Sequence, residues 1–81
     1  MYKTDLKIEG MMCNMCEAHV NDAVRNRFQV KSVKSSHKKG TTEIISAEIP
    51  DEGILREVIG ETGYTLTDIT TEEYKKKGLF G

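Results

Sequence analysis

Two cysteines and one proline are all that this 81-residue sequence has of either. Two cysteines cannot build the disulfide framework of a small secreted domain; in a reducing compartment a close pair more often binds metal or does redox chemistry. An excess of charge of either sign is also missing. A net charge of -1 leaves no global basic field of the kind nucleic-acid binding draws on. No apolar stretch approaches the roughly 20 residues of a membrane-spanning helix, and no charged start followed by an apolar signal core opens the chain. A cytoplasmic protein with no membrane insertion and no nucleic-acid partner is expected. The length supports one core, and 37% hydrophobic with 31% charged residues is a composition that folds.

Along the chain, residues 2 to 9 place Thr4, Leu6 and Ile8 on one side and Lys3, Asp5, Lys7 and Glu9 on the other, which predicts a half-buried strand. Gly10 ends it. Cys16, Val20, Ala23, Val24, Arg27 and Phe28 have the spacing of a helix packed on one face, with Cys13 in the preceding loop and Cys16 at the helix start. Residues 29 to 36 read as a second strand anchored by Val30 and Val33, whose broken alternation points to a bulge. After the polar turn HKKGTT, residues 42 to 49 alternate as a third strand and close a hairpin. Pro50 stops it and opens a second helix with a stripe of Ile54 or Leu55, Val58 and Ile59, which Gly63 ends. Residues 64 to 69 supply a last strand. That order defines an α+β, ferredoxin-like βαββαβ sandwich with an antiparallel four-stranded sheet and two helices on one face. The domain is expected to span residues 1–70, and residues 71–81 to form a flexible, solvated tail.

Cys13 and Cys16 can direct two sulfurs at one point, and thiolates select soft ions over hard cations. At a helix start, the dipole and the unpaired N–H groups favour the thiolate over the thiol. With two sulfurs and no evident third ligand, the pair suits Cu(I), content with low coordination, better than tetrahedral zinc. A metal held this way in a surface loop is open to another protein's thiolates. Transfer fits that exposure better than storage, and no enzyme activity is expected.

Gly10, Met11, Met12, Cys13, Asn14, Met15 and Cys16, followed by Val20, Ala23 and Val24, resemble the GMxCxxC loop and first helix of heavy-metal-associated domains. Leu55, Ile59, Gly63 and Tyr64 resemble the second helix and Gly-Tyr turn of that family's bacterial copper chaperones, so that the likeness covers about residues 3 to 69. The resemblance implies a ferredoxin-like fold, Cu(I) on Cys13 and Cys16, a buried supporting Met11, and Tyr64 beside the site tuning it. It also implies delivery of copper to a copper-transporting P-type ATPase or its metal-binding domain. The sequence departs from the family at Phe28-Gln29-Val30, and at Ser35 and His37, where apolar strand residues are common; a shorter second strand is expected.

Other readings stand beside this one. Paired thiolates also take Ag(I), Hg(II), Zn(II) and Cd(II), so a mercury, zinc or cadmium carrier is an alternative, though Met11 in place of a loop acid leans toward copper. A metal-binding module of a larger transporter is another, against which an end at Gly81 sets the expectation of a free-standing chaperone. A dithiol oxidoreductase is disfavoured because the one proline, Pro50, precedes the second helix instead of facing the pair. Two copies sharing metal through four cysteines would form a metal-bridged homodimer. Met12 and Met15 read as apolar shielding more readily than as thioether ligands. His19 reads as a surface residue one turn past Cys16, and His37 has no partner at ligand spacing. Glu52, Glu57 and Glu61, with Glu17 and Asp22, form either a solvated face or an acidic docking face.

Overall fold

The alternation of residues 2 to 9 forms strand β1, Tyr2–Glu9, whose Thr4, Leu6 and Ile8 are buried. A computed structural model describes residues 1–74 of the chain. After β1 come helix α1, Asn14–Arg27; strands β2, Ser32–Ser36, and β3, Thr41–Ser46; helix α2, Glu52–Glu61; and strand β4, Thr65–Glu73. The sheet has the order β2-β3-β1-β4 and every neighbouring pair is antiparallel. β1 and β2 therefore run the same way with β3 between them, as the expected ferredoxin-like βαββαβ fold requires.

One face of the sheet carries Leu6, Ile8, Val33, Ile44 and Leu66, and it packs with Val20 and Val24 of α1 and Leu55 and Ile59 of α2 in a single core. Burying each of the larger of these side chains contributes about 1.5–3 kcal/mol. The other face is charged. Lys3 there lies 3.6 Å from Glu43 and 3.5 Å from Glu72, exposed pairs that contribute little.

Element limits and buried faces refine the sequence expectation in five places, each with a local cause. α1 begins at Asn14, because the Cys13 carbonyl already accepts from Cys16 N (3.1 Å) and Glu17 N (3.2 Å), which makes Cys13 the N-cap and not a loop residue. β2 begins at Ser32 since Phe28 and Val30 turn in against the core, and its register with β3 carries no bulge; the irregularity falls between β1 and β4 at Lys7/Ile8. β3 stops at Ser46, whose hydroxyl donates to the Glu48 carbonyl at 2.6 Å and turns the chain away, leaving Ile49 exposed. On α2 the buried stripe is Leu55, Val58 and Ile59, with Ile54 facing out.

The fifth is the largest. β4 starts at Thr65 and continues to Glu73, past the expected boundary at Thr70, because Thr4, Lys3 and Tyr2 at the start of β1 pair with Thr71, Glu72 and Glu73. Threonine is β-branched and suits a strand even where the pattern looks polar. The rest of the expected tail, residues 75 to 81, lies outside the described residues. Among the described residues, no helix is long and apolar enough to cross a membrane.

Candidate metal centre

The β1–α1 connection has to turn sharply, and Gly10 does so at φ +105, a conformation that L side chains rarely adopt. It also leaves room for Tyr64: a Cβ at Gly10 would stand 3.1 Å from the Tyr64 Cδ1. The α2–β4 turn that delivers Tyr64 uses Gly63 at φ +94. These two glycines bring the start of α1 and the end of α2 together. Met11 then inserts into the core, 4% exposed, and anchors the loop from below.

Cys13 and Cys16 stand one helical turn apart on that anchored start, and their sulfurs lie 3.2 Å from each other as free thiols. Cys13 is exposed and Cys16 half-buried against the core. Cys13 has an extended backbone at the N-cap, and no side chain among the described residues caps the helix there. The first N–H groups of α1 are thus left to stabilise negative charge on sulfur. The Tyr64 hydroxyl beside Cys16, then a backbone hydrogen bond from Met12 and the Cys13 thiol, lower the Cys16 thiol from its ordinary value to about 6. Cys16 is therefore a thiolate at neutral pH. Reciprocally, the Cys16 sulfur raises the Tyr64 phenol, which keeps it a neutral donor.

Of the residues that the sequence singled out, Cys13, Cys16, Met11 and Tyr64 are brought together here. Met12 and Met15 are 78% and 73% exposed and bury little of their own surface against the domain. His19 is exposed on α1. His37 is elsewhere engaged, its backbone N–H donating to Glu17 Oε2 at 2.8 Å and its Nδ1 lying 2.7 Å from the same oxygen. No cluster of three or more His, Cys, Asp or Glu residues that could hold a metal ion is found among the described residues, which leaves Cys13, Cys16, His19 and His37 unassembled as a zinc site. The acidic residues are largely answered in place: Glu52 by Arg56 at 3.2 Å, Glu57 by Arg27 at 3.3 Å, and Glu17 by His37.

Sequence reasoning missed the polar contact between α1 and the β2–β3 hairpin. One turn beyond Glu17, Asn21 Oδ1 accepts from Ser35 Oγ at 2.7 Å, and Ser35 Oγ lies 2.8 Å from Thr42 Oγ1. The signal was present as polar residues at core-facing strand positions, Ser35 and Thr42, opposite a helix face that carries Glu17 and Asn21 four residues apart.

No protein-family model matches the sequence. Among solved structures, the copper chaperone Atx1 from Synechocystis PCC6803 is 28% identical, with 78% of this chain and 97% of that chain covered at a TM-score of 0.66. A copper binding domain from HMA7, a P-type ATPase, is 23% identical over 91% of this chain and 100% of its own, at a TM-score of 0.77. The N-terminal domain of ZntA in the Zn(II) form is 22% identical over 83% and 90%, at a TM-score of 0.73. At such identities the last two show a shared fold and no more.

Proposed function

We propose that this chain, a heavy-metal-associated-like domain by its fold and its structural neighbours, carries one soft metal ion, Cu(I), between Cys13 and Cys16 and hands it to a partner protein. The observation that carries this reading is the convergence of the two sulfurs to 3.2 Å at a helix start whose cap position is left open. Two soft donors with a thiolate at neutral pH match an ion content with low coordination, whereas zinc would need further ligands. Similarity to a copper chaperone supports the same choice of metal.

Transfer follows from the unequal exposure of the ligands. A partner's cysteine loses its proton to water and its thiolate forms a bond to Cu(I) from the side of exposed Cys13; the Cys13 sulfur then leaves, and half-buried Cys16 leaves after a second partner thiolate has bonded. Copper stays Cu(I) throughout, and the released thiolates take protons from water according to their pKa. The partner we assign is a copper-transporting P-type ATPase or its metal-binding domain, and the compartment the cytoplasm. The protein acts as a carrier and not as an enzyme.

Anaerobic titration of the reduced protein with Cu(I), Zn(II) and Hg(II) against competing chelators, read by mass spectrometry, tests the assignment. One Cu(I) per chain, lost on the paired change Cys13→Ser and Cys16→Ser, is expected. Unchanged stoichiometry in that variant would remove the two sulfurs as ligands, and a preference for zinc would overturn the metal.

A further inference from the structure

Glu17 stands directly after Cys16 and four residues after Cys13, whose carbonyl accepts the Glu17 N–H at 3.2 Å. Helical side chains lean toward the N-terminus of their helix. Freed from other contacts, a Glu17 carboxylate leaning that way would approach an ion held by Cys13 and Cys16. Such an oxygen would count differently for different ions: carboxylate is a normal member of zinc's four-coordinate shell, whereas Cu(I) gains little from a hard donor.

The carboxylate is restrained. Oε2 accepts the His37 backbone N–H at 2.8 Å and meets His37 Nδ1 at 2.7 Å, both in the turn that joins β2 and β3. Glu17 and His37 are 20 residues apart in sequence, and the contact leaves their side chains 24% and 26% exposed. A separate set of bonds, Asn21 to Ser35 and Ser35 to Thr42, ties α1 to the hairpin one turn further on. The helix is therefore moored without the Glu17–His37 contact, which leaves that contact available for another purpose.

We infer that His37 is a specificity-determining residue: by holding the Glu17 carboxylate against the β2–β3 turn, it denies the two-sulfur site an oxygen ligand and so disfavours Zn(II) relative to Cu(I). This rests on Cys13 and Cys16 being the ion's ligands. His37 touches no metal itself; it acts through Glu17.

The test compares the reduced parent with His37→Ala, which removes the ring, and His37→Pro, which removes the ring and the backbone donor at a turn position that tolerates proline. Far-UV circular dichroism first establishes that each variant is folded. Chelator competition is expected to show Zn(II) bound about tenfold more tightly once the carboxylate is released, the usual lower size of a change made just outside a metal's own ligands. His37→Pro should exceed His37→Ala, and Cu(I) affinity should stay within about twofold. Co(II) as a spectroscopic substitute should gain a more intense tetrahedral absorption in the variants. Adding Glu17→Gln to either variant should return both metals to parental behaviour. The inference is overturned if Zn(II) affinity does not rise, if the rise survives Glu17→Gln, or if both metals weaken together, which would make the contact merely structural. A parent that takes up no Cu(I) on Cys13 and Cys16 would instead sink the assignment beneath it.

Discussion

The two helices of this domain begin in opposite ways. At the start of α2, the Asp51 side chain accepts the Ile54 N–H at 3.0 Å and closes the helix, the usual work of a capping aspartate. At the start of α1 the cap position is Cys13, no side chain among the described residues takes up the first N–H groups, and the sulfur points its reactivity outward. α2 is also the more apolar partner of the sheet, burying Leu55, Val58 and Ile59, while α1 buries Val20 and Val24 beside hydrogen-bonded Glu17 and Asn21. The difference separates two tasks between the two βαβ halves of the fold. α2 is closed and holds the core; α1 gives up its cap so that its open end can stabilise thiolate, and recovers its position from polar contacts to the hairpin.

The hardest way to break this comparison is to strike α2. Leu55 is fully buried, and Leu55→Ala should cost about 2–5 kcal/mol of stability, read as a lower urea midpoint of the metal-free protein. Cys13 and Cys16 should keep their thiol reactivity in whatever fraction stays folded. A loss under about 1 kcal/mol would mean that α2 does not anchor the core. A milder change exchanges the two caps. Asp51→Ala should cost about 0.5–2 kcal/mol, whereas Cys13→Ser places a good capping hydroxyl where none acts now and should raise stability by up to about 1 kcal/mol while losing the metal. Opposite signs in the same urea assay are the expected outcome. Destabilisation by both would show that the α1 start is held by its sulfur and is not an open end.

Much of this division could be read from residue order. Alternation in residues 2 to 9 and the helical spacing from Cys16 to Phe28 located β1 and α1, since both patterns report one buried face. Cys13 and Cys16 stood out because their chemistry is local and their spacing is short. What escaped was long-range and polar. Hydrophobic period says nothing about Ser35 and Thr42, which face the core yet meet Asn21, or about His37, whose partner Glu17 is distant in sequence. The end of β4 escaped for a related reason: Thr70 to Glu73 has no apolar alternation, and its strand character comes from the partner residues of β1. The exposure of Met12 and Met15 was equally illegible, because the same residue type fills the core at Met11.

The smallest effect expected is the one that most directly probes the open end of α1, the pH dependence contributed by Cys16. Its thiol is lowered from 9.0 to about 6 in the folded chain, with the Tyr64 hydroxyl as the first cause. Unfolded chain binds the extra proton between those values, so this group adds stability as pH rises from about 6 toward 9, with its full contribution above the unfolded value and none below about 6. Solvent screens the exposed sulfur pair, which keeps the contribution below that of either cap exchange. Thiolate absorbance of the metal-free, reduced protein should rise through a midpoint near 6, and urea midpoints should climb between about pH 6 and pH 9. Tyr64→Phe removes the hydroxyl and leaves the ring to pack on Gly10, so it should move the absorbance midpoint upward and flatten the climb in urea midpoint without unfolding the chain. If the midpoint stays where it is in Tyr64→Phe, the remaining donors, the Met12 backbone and the Cys13 thiol and backbone at the start of α1, suffice by themselves.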